Sequence, residues 1–275
     1  MVISTTQADD LYERFGRLIT KSSGIQLDAS KRNLIDTRLR KRATELKLPD
    51  AQTYLTWVVD TNRVSEELPR MIDLITTNKT DFFRESAHFD LLVNEVLPRH
   101  PRNRVFRFWS AASSSGEEAY TAAMLLAEHK RRNPKFDFTV LGTDISPSVV
   151  TKARQAVYDR ELISDVPEPL RSLYFQLGTS STGRELARVT AELRRMVQFA
   201  VLNLVEDNFA VDRDCDVAFL RNVLIYFAPE IQMRVVSNVT DHLRPGGYLF
   251  VGHSETMNIR DPRLKPVAVA VYQKG

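Results

Sequence analysis

The residues best suited to chemistry are acids beside a run of small side chains. Ala111 to Gly116 (A-A-S-S-S-G) contains nothing larger than serine, so a ligand can approach the backbone there, and Glu117 and Glu118 follow at once. A phosphate suits this arrangement poorly. The G-x-G-x-x-G spacing that cradles a pyrophosphate is absent, and two glutamates at a helix start would repel an anion where the helix end should attract it. A cofactor presenting a cationic amine suits them better. Another acid, Asp144, closes the apolar run F-D-F-T-V-L-G-T-D, where a carboxylate is placed to accept both hydroxyls of a ribose. An ordinary β-α-β crossover with capping acids is written in the same letters, and this stretch alone does not separate the two. Cys215, the single cysteine, sits between two acids that raise a thiol pKa, which argues against a nucleophile. The five histidines show no H-x-x-x-H or H-E-x-x-H spacing, so no metal is expected.

Strands and helices must position these acids. Val105, Phe106, Phe108 and Trp109 read as a strand, and Ala119, Ala122, Ala123, Leu126 and Ala127 recur at helical spacing. The second strand ends at Asp144, and S-P-S-V-V-T-K-A-R opens another helix with Pro147 near its first position. Gly178 and Gly183 bracket small polar residues between short strands, which reads as an inserted hairpin within about residues 173–200. Strand and helix alternation resumes at V-Q-F-A-V-L-N-L, and V-A-V-A-V-Y reads as the last strand. The expected class is α/β, with a mostly parallel sheet whose ligand edge lies at the strand C-terminal ends. Asn203, Arg221 and Asn222 fall on such ends, beside Asp144.

Residues 1–78 read as an all-helical N-terminal domain and 79–275 as the α/β domain. A helix from Lys31 to about Lys47, with Ser30 as its cap, carries seven Lys/Arg against two acids, a net +5 where the whole chain is only +3. Ile35, Leu39, Ala43 and Leu46 form its buried stripe, with Lys31, Arg38, Lys41 and Arg42 on the adjacent face. That face is either solvated or a docking surface for something acidic. Thr80 or Asp81 is expected to cap a helix carrying Phe82, Phe83, Phe89, Leu91 and Leu92. Asn78, Thr80 and Arg84 then project from the domain junction, a common place for ligand contacts.

At 275 residues, 43% hydrophobic and 27% charged, the chain has the composition of an ordinary soluble globular protein. No apolar run reaches the ~20 residues of a membrane span, and the first ten residues lack a signal peptide's basic start and apolar core. A cytoplasmic location is expected.

Three segments taken together, N-K-T-D-F-F-R-E, W-S-A-A-S-S-S-G-E-E-A-Y and R-N-V-L-I-Y-F with the later P-G-G-Y-L-F-V-G-H-S-E, resemble the CheR-type chemoreceptor methyltransferases over about residues 10–272. The resemblance implies a small all-helical N-terminal domain and a doubly wound, Rossmann-like methyltransferase domain with a small inserted antiparallel β-subdomain. It implies S-adenosyl-L-methionine as cofactor and S-adenosyl-L-homocysteine as product. The activity implied is methylation of glutamate side chains on the cytoplasmic helical domain of bacterial chemoreceptors, by a protein recruited to membrane-bound receptor arrays. In some members the β-subdomain also receives the receptor's C-terminal tail. By the same resemblance Asn78, Thr80 and Arg84 line the cofactor site, Glu118 faces its methionine end and Asp144 its ribose. Asn203 and Leu204 contact the adenine, and Leu220, Arg221 and Asn222 close the pocket. Arg84 and Tyr226 lie near the transferring methyl and the incoming carboxylate. Two other readings compete. A pI near 9.0 and the basic helix fit a nucleic-acid methyltransferase, although R-N-V-L-I-Y-F stands where an N-P-P-Y-type loop belongs. A non-catalytic sensor of the same cofactor is the other, and the presence of Arg84 and Tyr226 speaks against it.

Overall fold

Apolar residues three and four apart place the first four helices around a shared core. The computed structural model describes residues 5–27, 31–101 and 103–275. In it α1 (Thr5–Ser23), α2 (Arg32–Glu45), α3 (Ala51–Asp60) and α4 (Val64–Ile75) bury Phe15, Ile19, Ile35, Leu39, Tyr54, Val58 and Met71 against one another. The Asp50 side chain caps α3 by accepting from the Thr53 N–H at 2.7 Å. Ser30, the expected cap of α2, lies outside the described residues.

Residues 76–85 cross from this bundle to the sheet without regular structure, and here expectation and structure part. No helix starts at Thr80 or Asp81: α5 runs only over Ser86–Leu91, continuing as a π turn (Leu92–Val96), and Phe83 and Glu85 adopt positive φ (57° and 53°). Tertiary packing overrides the helical pattern. Phe82 is driven edge-on against Tyr158 and Phe175, while the Phe83 N–H donates to the Thr121 hydroxyl. The chain must turn between those anchors, and the turn carries Arg84.

β1 (Phe106–Ser110), α6 (Glu117–Arg132), β2 (Phe138–Asp144) and α7 (Pro147–Gln155) follow, then β3 (Val157–Asp159), α8 (Glu168–Tyr174), β4 (Phe175–Thr179) and β5 (Glu185–Val189). The chain closes with α9 (Ala191–Arg195), β6 (Val197–Val201), β7 (Cys215–Leu220), α10 (Pro229–His242), β8 (Leu243–Val251), β9 (Leu264–Ala268) and β10 (Val271–Lys274). The main sheet has the order β6-β2-β1-β7-β8-β10-β9, its first five strands parallel and β10 antiparallel to both neighbours. Cys215 opens β7, buried, its thiol pushed up to about 12 by burial, as a structural cysteine should be. The final apolar run is two strands, not one, because the chain reverses at Val269 and Ala270 (φ 58°). The small antiparallel sheet is β3-β5-β4. Its hairpin falls where the glycines placed it. The third strand comes from Val157–Asp159, outside the 173–200 span, and β6 inside that span belongs to the main sheet.

Successive connections leave β1 in opposite directions, to β2 on one side and, after β6, to β7 on the other. That reversal opens a crevice beyond the C-terminal ends of β1, β2 and β7, where ligands of open α/β sheets bind.

Candidate functional site

The crevice is a cavity of about 300 Å³ between the strand ends and the helical bundle. One wall is the loop between β1 and α6. Gly116 ends that loop at φ 99°, and a Cβ there would stand 3.0 Å from both the Ala153 methyl and the Phe199 ring, so both backbone and space demand glycine. The bend directs the Ser114 N–H onto the Asp144 carboxylate at 2.9 Å, while the Ser114 hydroxyl donates to the Asn78 carbonyl at 2.8 Å. The Ser146 N–H donates to the other Asp144 oxygen at 3.0 Å. Both carboxylate oxygens are thus held by backbone donors and still have acceptor capacity for a ligand. Burial raises the Asp144 pKa, opposed by those same two donors.

At the other end Glu118 accepts from the Ser110 hydroxyl at 2.6 Å and lies 3.5 Å from the Arg221 guanidinium. Burial raises its pKa, with Arg221 and Ser110 opposing. Arg221 also stands 3.6 Å from Glu85 and donates to the Arg84 carbonyl, yet its Nε and Nη1 satisfy no acceptor among the described residues. This 1%-exposed guanidinium keeps hydrogen-bond donors, Nη1 above all, that a ligand in the cavity could meet. Asn222, at φ 57°, is held by Glu255, which accepts from the backbone N–H groups of Asn222, Leu224 and Gly252 at 2.8, 2.8 and 2.6 Å. Asn203 donates to the Ser22 carbonyl, and the Gln26 N–H donates to the Tyr226 carbonyl, so the end of α1 is stitched to the cavity's rim.

Asn78, Thr80, Arg84, Glu118, Asp144, Asn203, Leu204, Arg221, Asn222 and Tyr226 all line the cavity. Leu220 does not. It is fully buried as the last residue of β7 and packs in the core beneath the site. The basic face of α2 is also rearranged. Arg42 turns inward to pair with Glu67, and Arg38 donates to the Thr76 carbonyl and the Thr77 hydroxyl, bracing the segment that leads to Asn78. Lys31 lines the cavity, its ammonium on the Gln26 carbonyl. Only Lys41 of the four is solvent-exposed. The neighbouring stripe is covered because α2 packs on both α3 and α4, which a helical wheel cannot show. Sequence reasoning missed Ser110, Glu85 and Glu255. An acid in the G-H-S-E segment after an apolar strand was the one available sign of Glu255.

A family model described as "CheR methyltransferase, SAM binding domain" matches residues 78–272, and one described as "CheR methyltransferase, all-alpha domain" matches residues 10–76. The chain is similar to a chemotaxis protein methyltransferase of Borreliella burgdorferi, with 34% identity over 275 residues covering 97% of this chain and 94% of that protein. Chemotaxis protein methyltransferase 2 of Pseudomonas aeruginosa is 37% identical over 262 residues (94% and 90% covered). The chemotaxis protein methyltransferase of Escherichia coli is 36% identical over 265 residues (96% and 91% covered).

Proposed function

This chain belongs to the CheR methyltransferase family, and from that premise we propose that it transfers a methyl group from S-adenosylmethionine to glutamate carboxylates of bacterial chemoreceptors. The observation that carries the cofactor assignment is the pair of carboxylates, buried Asp144 and the 13%-exposed Glu118, lining one cavity together with the unmet donors of Arg221. S-adenosylmethionine presents an ammonium, a carboxylate, a diol and an apolar base. Glu118 suits the first, Arg221 the second and Asp144 the third, while Leu202, Leu204, Val223 and Phe227 offer apolar walls to the base. The residues present therefore fit the group.

When bound, the cofactor supplies an electrophilic methyl on a sulfonium. The protein needs no general base, since a glutamate with a pKa of about 4.3 is already ionised at neutral pH. Its task is alignment in a dry site, where joining opposite charges is favoured. Arg84 and Tyr226 both line the cavity, and we assign them to orienting the incoming carboxylate. The Arg84 guanidinium is held by the Lys79 carbonyl at 3.1 Å, which limits how tightly it can grip that carboxylate and so preserves its nucleophilicity. Exposed Lys41 and the exposed edge strand β4 are the docking elements we assign to the receptor bundle and to a receptor tail, the latter by strand addition. No described helix is long and apolar enough to cross a membrane. Incubation with radiolabelled S-adenosylmethionine and receptor-containing membranes tests the assignment. Label released by mild base as methanol is expected, and base-stable label would refute ester formation.

A further inference from the structure

Behind the cavity, Glu85, His88 and His253 come together from two distant parts of the chain. Each presents one donor atom, and the three donors lie within 4.8 Å of one another. Nδ1 of His88 is 3.5 Å and Nδ1 of His253 is 3.7 Å from the same oxygen of Glu85. Tetrahedral zinc with bonds of 2.0–2.1 Å sets its donors roughly 3.3 Å apart, so the two Glu85–histidine separations need only a few tenths of an ångström of closure, and the two histidine nitrogens, within 4.8 Å of each other, have to draw together with them. His88 is buried edge-on to Phe219 and Phe250, and neither ring nitrogen, nor that Glu85 oxygen, has a hydrogen-bond partner among the described residues. Glu85 Oε2 and His88 Nδ1, buried and 3.5 Å apart, are thus two unmet polar atoms facing one point, which calls for a ligand.

We propose that Glu85, His88 and His253 form a site for a borderline divalent transition metal of the zinc class, with its remaining position open to water. An ordinary ion pair between Glu85 and His88 is the competing account. At 3.5 Å the Glu85 oxygen and His88 Nδ1 make no hydrogen bond to each other, as such a pair would. The Arg221 guanidinium, 3.6 Å from Glu85, opposes a second cation. Glu118, 3.5 Å from the same nitrogen, offsets it, so the group of Glu85, Glu118 and Arg221 is net negative before any ion arrives. His253, half exposed, gives the entry path. Because the Glu85 turn carries Arg84, and Asn222 donates to Glu85 at 3.2 Å, an ion there reaches the cofactor cavity. This coupling rests on the cofactor reading, whereas the metal site itself does not.

The test is a titration of the full chain with Co²⁺ and then Zn²⁺, without cofactor. One equivalent with the visible bands of a tetrahedral cobalt site, displaced by zinc, is expected. His253→Ala, a change at a half-exposed position, should weaken zinc at least tenfold, while His129→Ala, remote from the cluster, should not. Absence of saturable binding up to millimolar metal, or equal affinity in wild type, His253→Ala and Glu85→Gln, would overturn the site. Saturating zinc should also shift wild-type affinity for S-adenosylhomocysteine at least threefold and leave that of His253→Ala unmoved. An equal response in both would overturn the coupling.

Discussion

Two arginines of this chain, the partly buried Arg42 and the buried Arg221, do opposite things. In the helical bundle Arg42 grips Glu67 through two hydrogen bonds of 2.9 and 2.6 Å, and the Tyr54 hydroxyl completes the same carboxylate at 2.8 Å. Every partner there is protein, and the site closes on itself. At the sheet edge Arg221 lies over the Phe89 and Phe219 rings, stands 3.5 and 3.6 Å from two carboxylates, and keeps two of its nitrogens unmet. A buried charge is tolerable only when paired, so incomplete pairing marks a place prepared for something that arrives later.

The largest effect should come from breaking the closed site. Arg42→Ala strands the Glu67 carboxylate, which is 4% exposed, and should cost about 3–5 kcal/mol of unfolding free energy, read from urea denaturation. Cofactor-product affinity of the folded fraction should be unchanged. Arg221→Leu should show the reverse pattern. Loss of a charge-assisted contact should weaken S-adenosylhomocysteine by roughly 2–3 kcal/mol in calorimetry, while the urea midpoint moves less than for Arg42→Ala. If Arg221→Leu unfolded the protein and left affinity intact, the contrast between the two arginines would collapse.

Asp144→Ala sharpens the comparison from the far end of the cavity. It should cost about 2 kcal/mol of binding and spare the fold, and unchanged affinity would remove the ribose assignment. Glu117 is a buried acid that makes no ion pair among the described residues, and burial pushes its pKa up to about 7. A carboxyl raised in the folded state opposes folding once the unfolded chain ionises, so stability should fall as pH rises from about 4.5 to about 7 and then level off. Glu117→Gln should flatten that slope and gain about 1–2 kcal/mol above pH 7, measured as denaturation midpoints across pH.

Apolar periodicity and turn residues were enough to mark the helical N-terminal domain and the strand and helix alternation of the main sheet. The 3.6-residue spacing in α1 to α4, the strand-loop-helix around Gly116 and the acid ending β2 are local properties, and a local pattern is legible wherever the element's own neighbours decide it. Acids and amides at strand ends announced the cavity for the same reason, because strand C-termini in a parallel sheet must share an edge. What only the tertiary structure decided depends on groups distant in the chain. Arg42 turns inward because Glu67 and Tyr54 wait there, Leu220 points into the core, and Phe82 and Phe83 bend a would-be helix so that Arg84 reaches the cavity. Glu85 and His88 meet His253 only when β8 and its following turn come to rest beside β7. No spacing rule sees such a meeting, since side-chain contacts across a fold are set by packing and burial, and those exist only once the chain has closed on itself.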